Sequence, residues 1–103
     1  MKLDVIFDEA PSMWGLRGDP YLWNELKEDV RQRPVFKTAD EFLLYLKATI
    51  EDIIGEPLLK GRYPYVERFN SGGMSGGRID SDFWLNTIMP LLEHRFNNLG
   101  RNP

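Results

Sequence analysis

The chain has 103 residues, 42% hydrophobic and 28% charged, with no cysteine and a formal net charge of −3. That length suits a single globular domain, 1–103, and the composition is not that of a disordered chain. The lack of cysteine excludes a disulfide framework or a thiolate metal site and fits a reducing compartment.

The first apolar stretch, Val5-Ile6-Phe7, is stopped at once by Asp8 and Glu9. It is too short for a signal peptide or a membrane span, so a cytoplasmic protein without a membrane partner is expected. The charge is uneven: residues 1–56 hold 12 acidic and 7 basic side chains, and residues 57–103 hold 4 and 6. Scattered basic residues on an acidic chain argue against nucleic acid as a partner. An acidic first half is either an ordinary solvated surface or a face for a basic protein.

In chain order, residues 3–8 place Leu3, Val5 and Phe7 on one face with Ile6 opposite, which predicts a strand ended by Ala10-Pro11. Residues 12–18 form a loop carrying Met13, Trp14 and Leu16. Asp19-Pro20 then starts a helix, with Asp19 as its cap. Leu22, Leu26 and Val30, widened by Trp23, make its apolar stripe, while Glu25, Glu28 and Asp29 lie on the other side.

A second helix follows Thr38-Ala39-Asp40-Glu41, read as a capping box in which Thr38 and Glu41 satisfy each other's backbone N–H. Phe42, Leu43, Leu46, Ile50, Ile53 and Ile54 form its broad apolar face; Gly55 and Pro57 end it. Residues 63–69 read as a strand with Tyr63, Tyr65 and Phe69 on one face, and Pro64 marks it as an edge or a late start. A second short strand through residues 74–79 would complete a hairpin. Asp80 or Ser81 caps the last helix, whose apolar positions include Phe83, Trp84, Ile88, Leu92 and Phe96; Pro90 predicts a kink or break near Met89. The expected fold is therefore α/β of the α+β type. It is a two-layer sandwich with a small, mainly antiparallel sheet and three helices in the order β-α-α-β-β-α.

Chemistry is concentrated in one loop. Gly72, Gly73, Ser75, Gly76 and Gly77 allow backbone N–H groups to approach an anion, and Arg78 adds a guanidinium. A P-loop is excluded, because Arg78 stands in place of the lysine and Ile79 in place of the magnesium-binding hydroxyl. A hairpin turn that needs glycine explains the same residues. A second set, Met13, Trp14, Leu16 and Arg17, forms an apolar loop that is either a lid over the core or, as with other loop aromatics enriched at interfaces, an anchor for a protein partner.

His94 is the only histidine and has no nucleophile or orienting carboxylate in a recognisable pattern. Asp80-Ser81-Asp82 reads as helix capping before it reads as a cation site, and Asp8-Glu9 carries no assignment. Arg17-Gly18-Asp19 matches an adhesion tripeptide by coincidence. No catalytic residue, metal or cofactor is assigned. Most of the Trp and Tyr side chains are expected in the core.

Two strings are distinctive: Trp14-Gly15-Leu16-Arg17-Gly18-Asp19-Pro20-Tyr21-Leu22-Trp23 and Gly73-Met74-Ser75-Gly76-Gly77. With Phe83-Trp84, Pro90-Leu91-Leu92 and Arg95-Phe96, the chain resembles a family of small, uncharacterised bacterial proteins over most of its length. The resemblance implies an immunity or accessory role beside secreted toxins, and it transfers no functional residue. The functional expectation is a non-enzymatic protein-binding module, monomeric or weakly dimeric. The alternative is a small-ligand or enzymatic domain gripping an anionic group through residues 72–78.

Overall fold

The computed structural model describes residues 3–11, 16–32, 35–69 and 76–99. They form a mixed α+β arrangement in which helices α1 (Asp19–Gln32) and α2 (Ala39–Ile54) precede a two-stranded antiparallel ribbon. The ribbon pairs β1 (Tyr65–Val66) with β2 (Gly77–Arg78), in the register Tyr65 to Arg78 and Val66 to Gly77. A long C-terminal helix follows as α3 (Ser81–Phe83), a π-helical stretch Trp84–Ile88, and α4 (Met89–Leu99). The buried side chains form one cluster drawn from the N-terminal segment, α1, α2, β1 and the C-terminal helix, with Leu58, Phe69 and Ile79 from the connections.

The expected first strand is instead a 3₁₀ turn, Leu3–Phe7. Ile6 and Phe7 are both buried and Val5 is exposed, a pattern that two-residue alternation does not give. The cause is the destination of its carbonyls. Arg95 Nη1 donates to Ile6 O at 2.7 Å and the Trp23 indole donates to Phe7 O at 3.2 Å, so side chains occupy the acceptors a neighbouring strand would use.

In α1 the positions expected in the stripe, Leu22, Trp23, Leu26 and Val30, are all buried. Full burial of each aliphatic side chain contributes about 1.5–3 kcal/mol. In α2, Phe42, Leu46, Ile50 and Ile54 are buried, with Leu43 and Ile53 partly covered. Thr38 Oγ1 accepts from Glu41 N at 3.1 Å, but Glu41 reaches back to Lys37 N at 3.3 Å rather than to Thr38, so the box is closed one residue early. Gly55 ends the helix with its N–H on Glu51 O, and the Glu51 carboxylate accepts from Leu58 N at 2.7 Å.

Both strands are shorter than expected. Glu67 and Arg68 form a turn closed by Phe69 N on Val66 O. That turn carries Phe69 into the core while Tyr63 and Tyr65 stay about half exposed, so the three do not share a face and these two tyrosines are not core residues. Pro90 neither breaks nor ends the last helix. In a regular α-helix its ring would collide with the carbonyl four residues earlier. The wider π turn before it, with Met89 N bonded to Trp84 O, takes up the misfit, and α4 continues to Leu99. Phe96 from α4 stacks on Phe42 of α2 at 4.9 Å, which ties the C-terminal helix to the centre of the core.

Candidate functional site

A concavity lies between α1 and α2. Tyr21, Asn24, Glu25, Glu28, Asp29 and Gln32 line it from α1, at the three- and four-residue intervals of one helix face. From α2 come Thr49, Asp52 and Ile53, again one face. The turn after β1 closes the groove with Arg68 and Phe69, and its volume is about 620 Å³.

The floor is apolar. Tyr21 stacks on Phe69 with centroids 5.6 Å apart and planes at 14°, and Ile53 packs against the core beside them. The walls are acidic: Glu25, Glu28, Asp29 and Asp52 stand against a single guanidinium, Arg68. Arg68 holds Glu25 in a two-pronged bond, with Nη2 at 2.7 Å from Oε2 and Nη1 on Oε1. That bond pushes the guanidinium pKa above its ordinary value, so Arg68 is fully charged and committed to Glu25. Tyr45 donates its hydroxyl to Asp29, and Arg31 meets Glu28 at 3.0 Å. Asp52 takes part in none of the ion pairs found among the described residues. Three of the four carboxylates thus have no guanidinium of the lining paired with them.

Sequence reading placed Glu25, Glu28 and Asp29 opposite the core stripe of α1 but treated them as solvated surface. Their helical spacing with Tyr21 and Gln32 was the available signal. Asp52 and Arg68 were missed, since nothing local says that the turn after β1 returns to α1.

Of the glycine-loop residues, Gly72, Gly73 and Ser75 lie outside the described residues, as do Met13 and Trp14 of the interface set. The described remainders of the two loops meet. Gly18 N donates to Arg78 O at 3.0 Å, on the edge of β2 away from β1. A Cβ on Gly18 would lie 2.7 Å from Arg78 O, and one on Gly77 would lie 2.9 Å from Gly18 Cα, so the pair packs backbone on backbone. Gly76 has φ +77°, with the Tyr65 ring against the place a side chain would fill. Arg78 donates from Nη1 to Tyr63 O at 2.8 Å and lies over the Tyr65 ring. Leu16 is partly buried and Arg17 exposed at the start of α1.

Asp19 fastens this junction. It is fully buried and does not cap α1; Gly18 O accepts from Leu22 N at the helix start instead. Oδ2 of Asp19 accepts from Leu16 N at 2.8 Å, and Oδ1 accepts from Asp80 N at 3.2 Å and from the Trp84 indole at 3.0 Å. Burial raises its pKa above the ordinary 3.8, against the opposing pull of the three donors. One carboxylate therefore joins the loop before α1, the end of β2 and the last helix.

Asp80 also caps α3, accepting from Phe83 N at 3.1 Å, and Asp82 accepts from Gly61 N at 2.9 Å. His94 is exposed, with Nε2 2.9 Å from the Asn98 amide. Among the described residues no three His, Asp or Glu side chains come together as a metal site, and no helix is long and apolar enough to cross a membrane. No protein family, curated protein or solved structure matches the chain.

Proposed function

We propose that the protein is a non-enzymatic binding module, and that the α1–α2 groove docks a cationic helix from a protein partner. The carrying observation is the combination in one groove of an apolar floor, Tyr21, Phe69 and Ile53, with the acidic walls Glu25, Glu28, Asp29 and Asp52. Two helices with a trough between them suit a third helix, whose apolar stripe meets the floor. Lysine or arginine on either side of that stripe meets the carboxylates, which steer association and fix the register. The lining on α1 runs from Tyr21 to Gln32, about 16 Å at 1.5 Å per residue, which matches three turns of a bound helix. The immunity or accessory role implied by the family resemblance is one instance of this reading, with the toxin as the cationic partner.

The test uses an amphipathic lysine–leucine helical peptide as probe, titrated into the isotope-labelled full chain and followed by amide shifts. Saturable shifts at Asn24, Glu28, Gln32, Thr49 and Asp52, weakening with added salt, are expected. The double variant Glu28→Lys/Asp52→Lys should abolish them while keeping the dispersed spectrum of a folded chain. Peptide binding that leaves the groove amides unmoved, or that survives the charge reversal, overturns the reading.

A further inference from the structure

A second concavity lies away from the helix pair, where the chain between α2 and β1 passes β2. Glu56, Arg62, Tyr63, Tyr65 and Arg78 line it with Gly61 and Pro64, around about 390 Å³, which lies in the size range of small-ligand sites. Two guanidiniums enter it and they differ in kind. Arg62 Nη2 is paired with Glu56 Oε1 at 3.1 Å. Arg78 is held by a neutral carbonyl, Tyr63 O, and by the face of Tyr65, and among the described residues no carboxylate pairs with it. A carbonyl and a ring orient a guanidinium without cancelling its charge.

The orientation is built into the ribbon. Tyr65 and Arg78 are register partners, so their side chains leave the same face of the pair, and the carbonyl of Tyr63 lies two residues further along the same chain. Tyr63 and Tyr65 are 49% and 47% exposed, and the Tyr65 ring already has Gly76 and the Arg78 guanidinium against it. The lining holds one carboxylate against two guanidiniums, and the Asp82 carboxylate sits on the N–H of Gly61 beside it, so the guanidinium of Arg78 is the group that favours an anion.

We infer that this pocket binds a small phosphate monoester carrying a planar body, with the phosphoryl oxygens on Arg78 and Arg62 and the planar group against Tyr63 and Tyr65. A phosphoryl group offers three acceptor oxygens and nearly two negative charges, enough to engage both guanidiniums at once. It competes with Glu56 for Arg62, so Glu56 acts against binding. Of the glycine-loop candidates, the site takes Arg78 alone. It is independent of the α1–α2 groove, and either reading stands or falls without the other.

The experiment titrates inorganic phosphate and phenyl phosphate separately into the isotope-labelled full chain. Amides of Gly61, Arg62, Tyr65 and Arg78 and the Arg78 side-chain Nε–H should shift and saturate, with phenyl phosphate the tighter of the two. Arg78→Gln should weaken phenyl phosphate binding by about tenfold or more, a loss equivalent to one charge-assisted contact. Glu56→Gln should tighten it, and Lys47→Gln on the exposed side of α2 should leave it unchanged. The Glu56 variant keeps the test alive if Arg78→Gln does not fold, because it predicts a gain. Absence of saturable shifts at millimolar phenyl phosphate overturns the inference. So does an equal loss in the Arg78 and Lys47 variants, which is the mark of general screening, or unchanged binding in Glu56→Gln.

Discussion

Replacing Asp19 by alanine removes the acceptor for three N–H groups at once: Leu16 N, Asp80 N and the Trp84 indole. The indole is buried and the two backbone N–H groups are partly buried; each left without a partner costs about 1–3 kcal/mol, the least for the two that water can reach. Removing the buried carboxylate returns part of this, since burial was already raising its pKa. Subtracting that relief leaves a net loss of roughly 3–5 kcal/mol, against a total stability of about 5–15 kcal/mol for a domain of this size. Asp19→Ala should therefore lower the thermal midpoint by more than about 10 °C. Asp19→Asn keeps one carbonyl oxygen for Asp80 N and Trp84 but turns an amide N–H toward Leu16 N, so it should cost about 1–3 kcal/mol. Urea denaturation followed by tryptophan fluorescence and by circular dichroism measures both, with the exposed Asp40→Ala expected within about 0.5 kcal/mol of the wild type. An Asp19→Ala protein as stable as Asp40→Ala would refute the account of Asp19 as the fastening of the junction.

Acid titration checks the same group by its sign. A folded pKa raised above 3.8 means that the folded state holds the proton more tightly than the unfolded state. The stability difference between the wild type and Asp19→Asn should be largest in acid, shrink as pH rises from 3.8 through the folded pKa, and stay flat above it. Denaturation of both proteins at several pH values up to about 7 measures this, and a difference that grows with pH would contradict it. Gly18→Ala should cost about 1–3 kcal/mol, because its Cβ would meet backbone at Arg78 O rather than a side chain able to move. Thermal melting detects the loss. Thr38→Ala removes the acceptor for Glu41 N and should cost about 1 kcal/mol, seen as a lower urea midpoint at unchanged slope. Lys27→Ala should change stability by no more than about 1 kcal/mol in the same assay, since its 3.4 Å pair with Asp8 lies on the surface.

Local periodicity made the helices legible. The stripe Leu22-Leu26-Val30 and the broad face of α2 are decided within each segment, by which side chains recur at helical spacing, and both are buried as expected. The segment 3–8 has two-residue alternation too short to exclude other structures, and its outcome was settled by Arg95 and Trp23, which take the carbonyls of Ile6 and Phe7. Pro90 shows the same dependence on context. The sequence marks where an α-helix cannot run regularly, but only the packing of Trp84, Ile88 and Leu92 into one core makes a π turn preferable to a break.

The sites divide along the same line. Half of the groove lies on one helix face and is visible in the spacing of Tyr21, Glu25, Glu28 and Gln32; Asp52 and Arg68 complete it from segments further along the chain. The two loops singled out for separate functions turn out to share a structural reason at their described ends. Gly18 and Gly77 are glycines because each lies against the other's backbone, and Asp19 bonds across 61 and 65 residues to hold them so. A glycine needed for a close approach and a glycine needed for an anion look the same in a sequence. What separates them is the partner: here a carbonyl and a Cα at Gly18 and Gly77, while a guanidinium without a carboxylate among the described residues belongs to Arg78, the next residue of the same strand. The anion site proposed above accordingly uses the arginine side chain, and substitution at Gly77 should act on stability before it acts on any ligand.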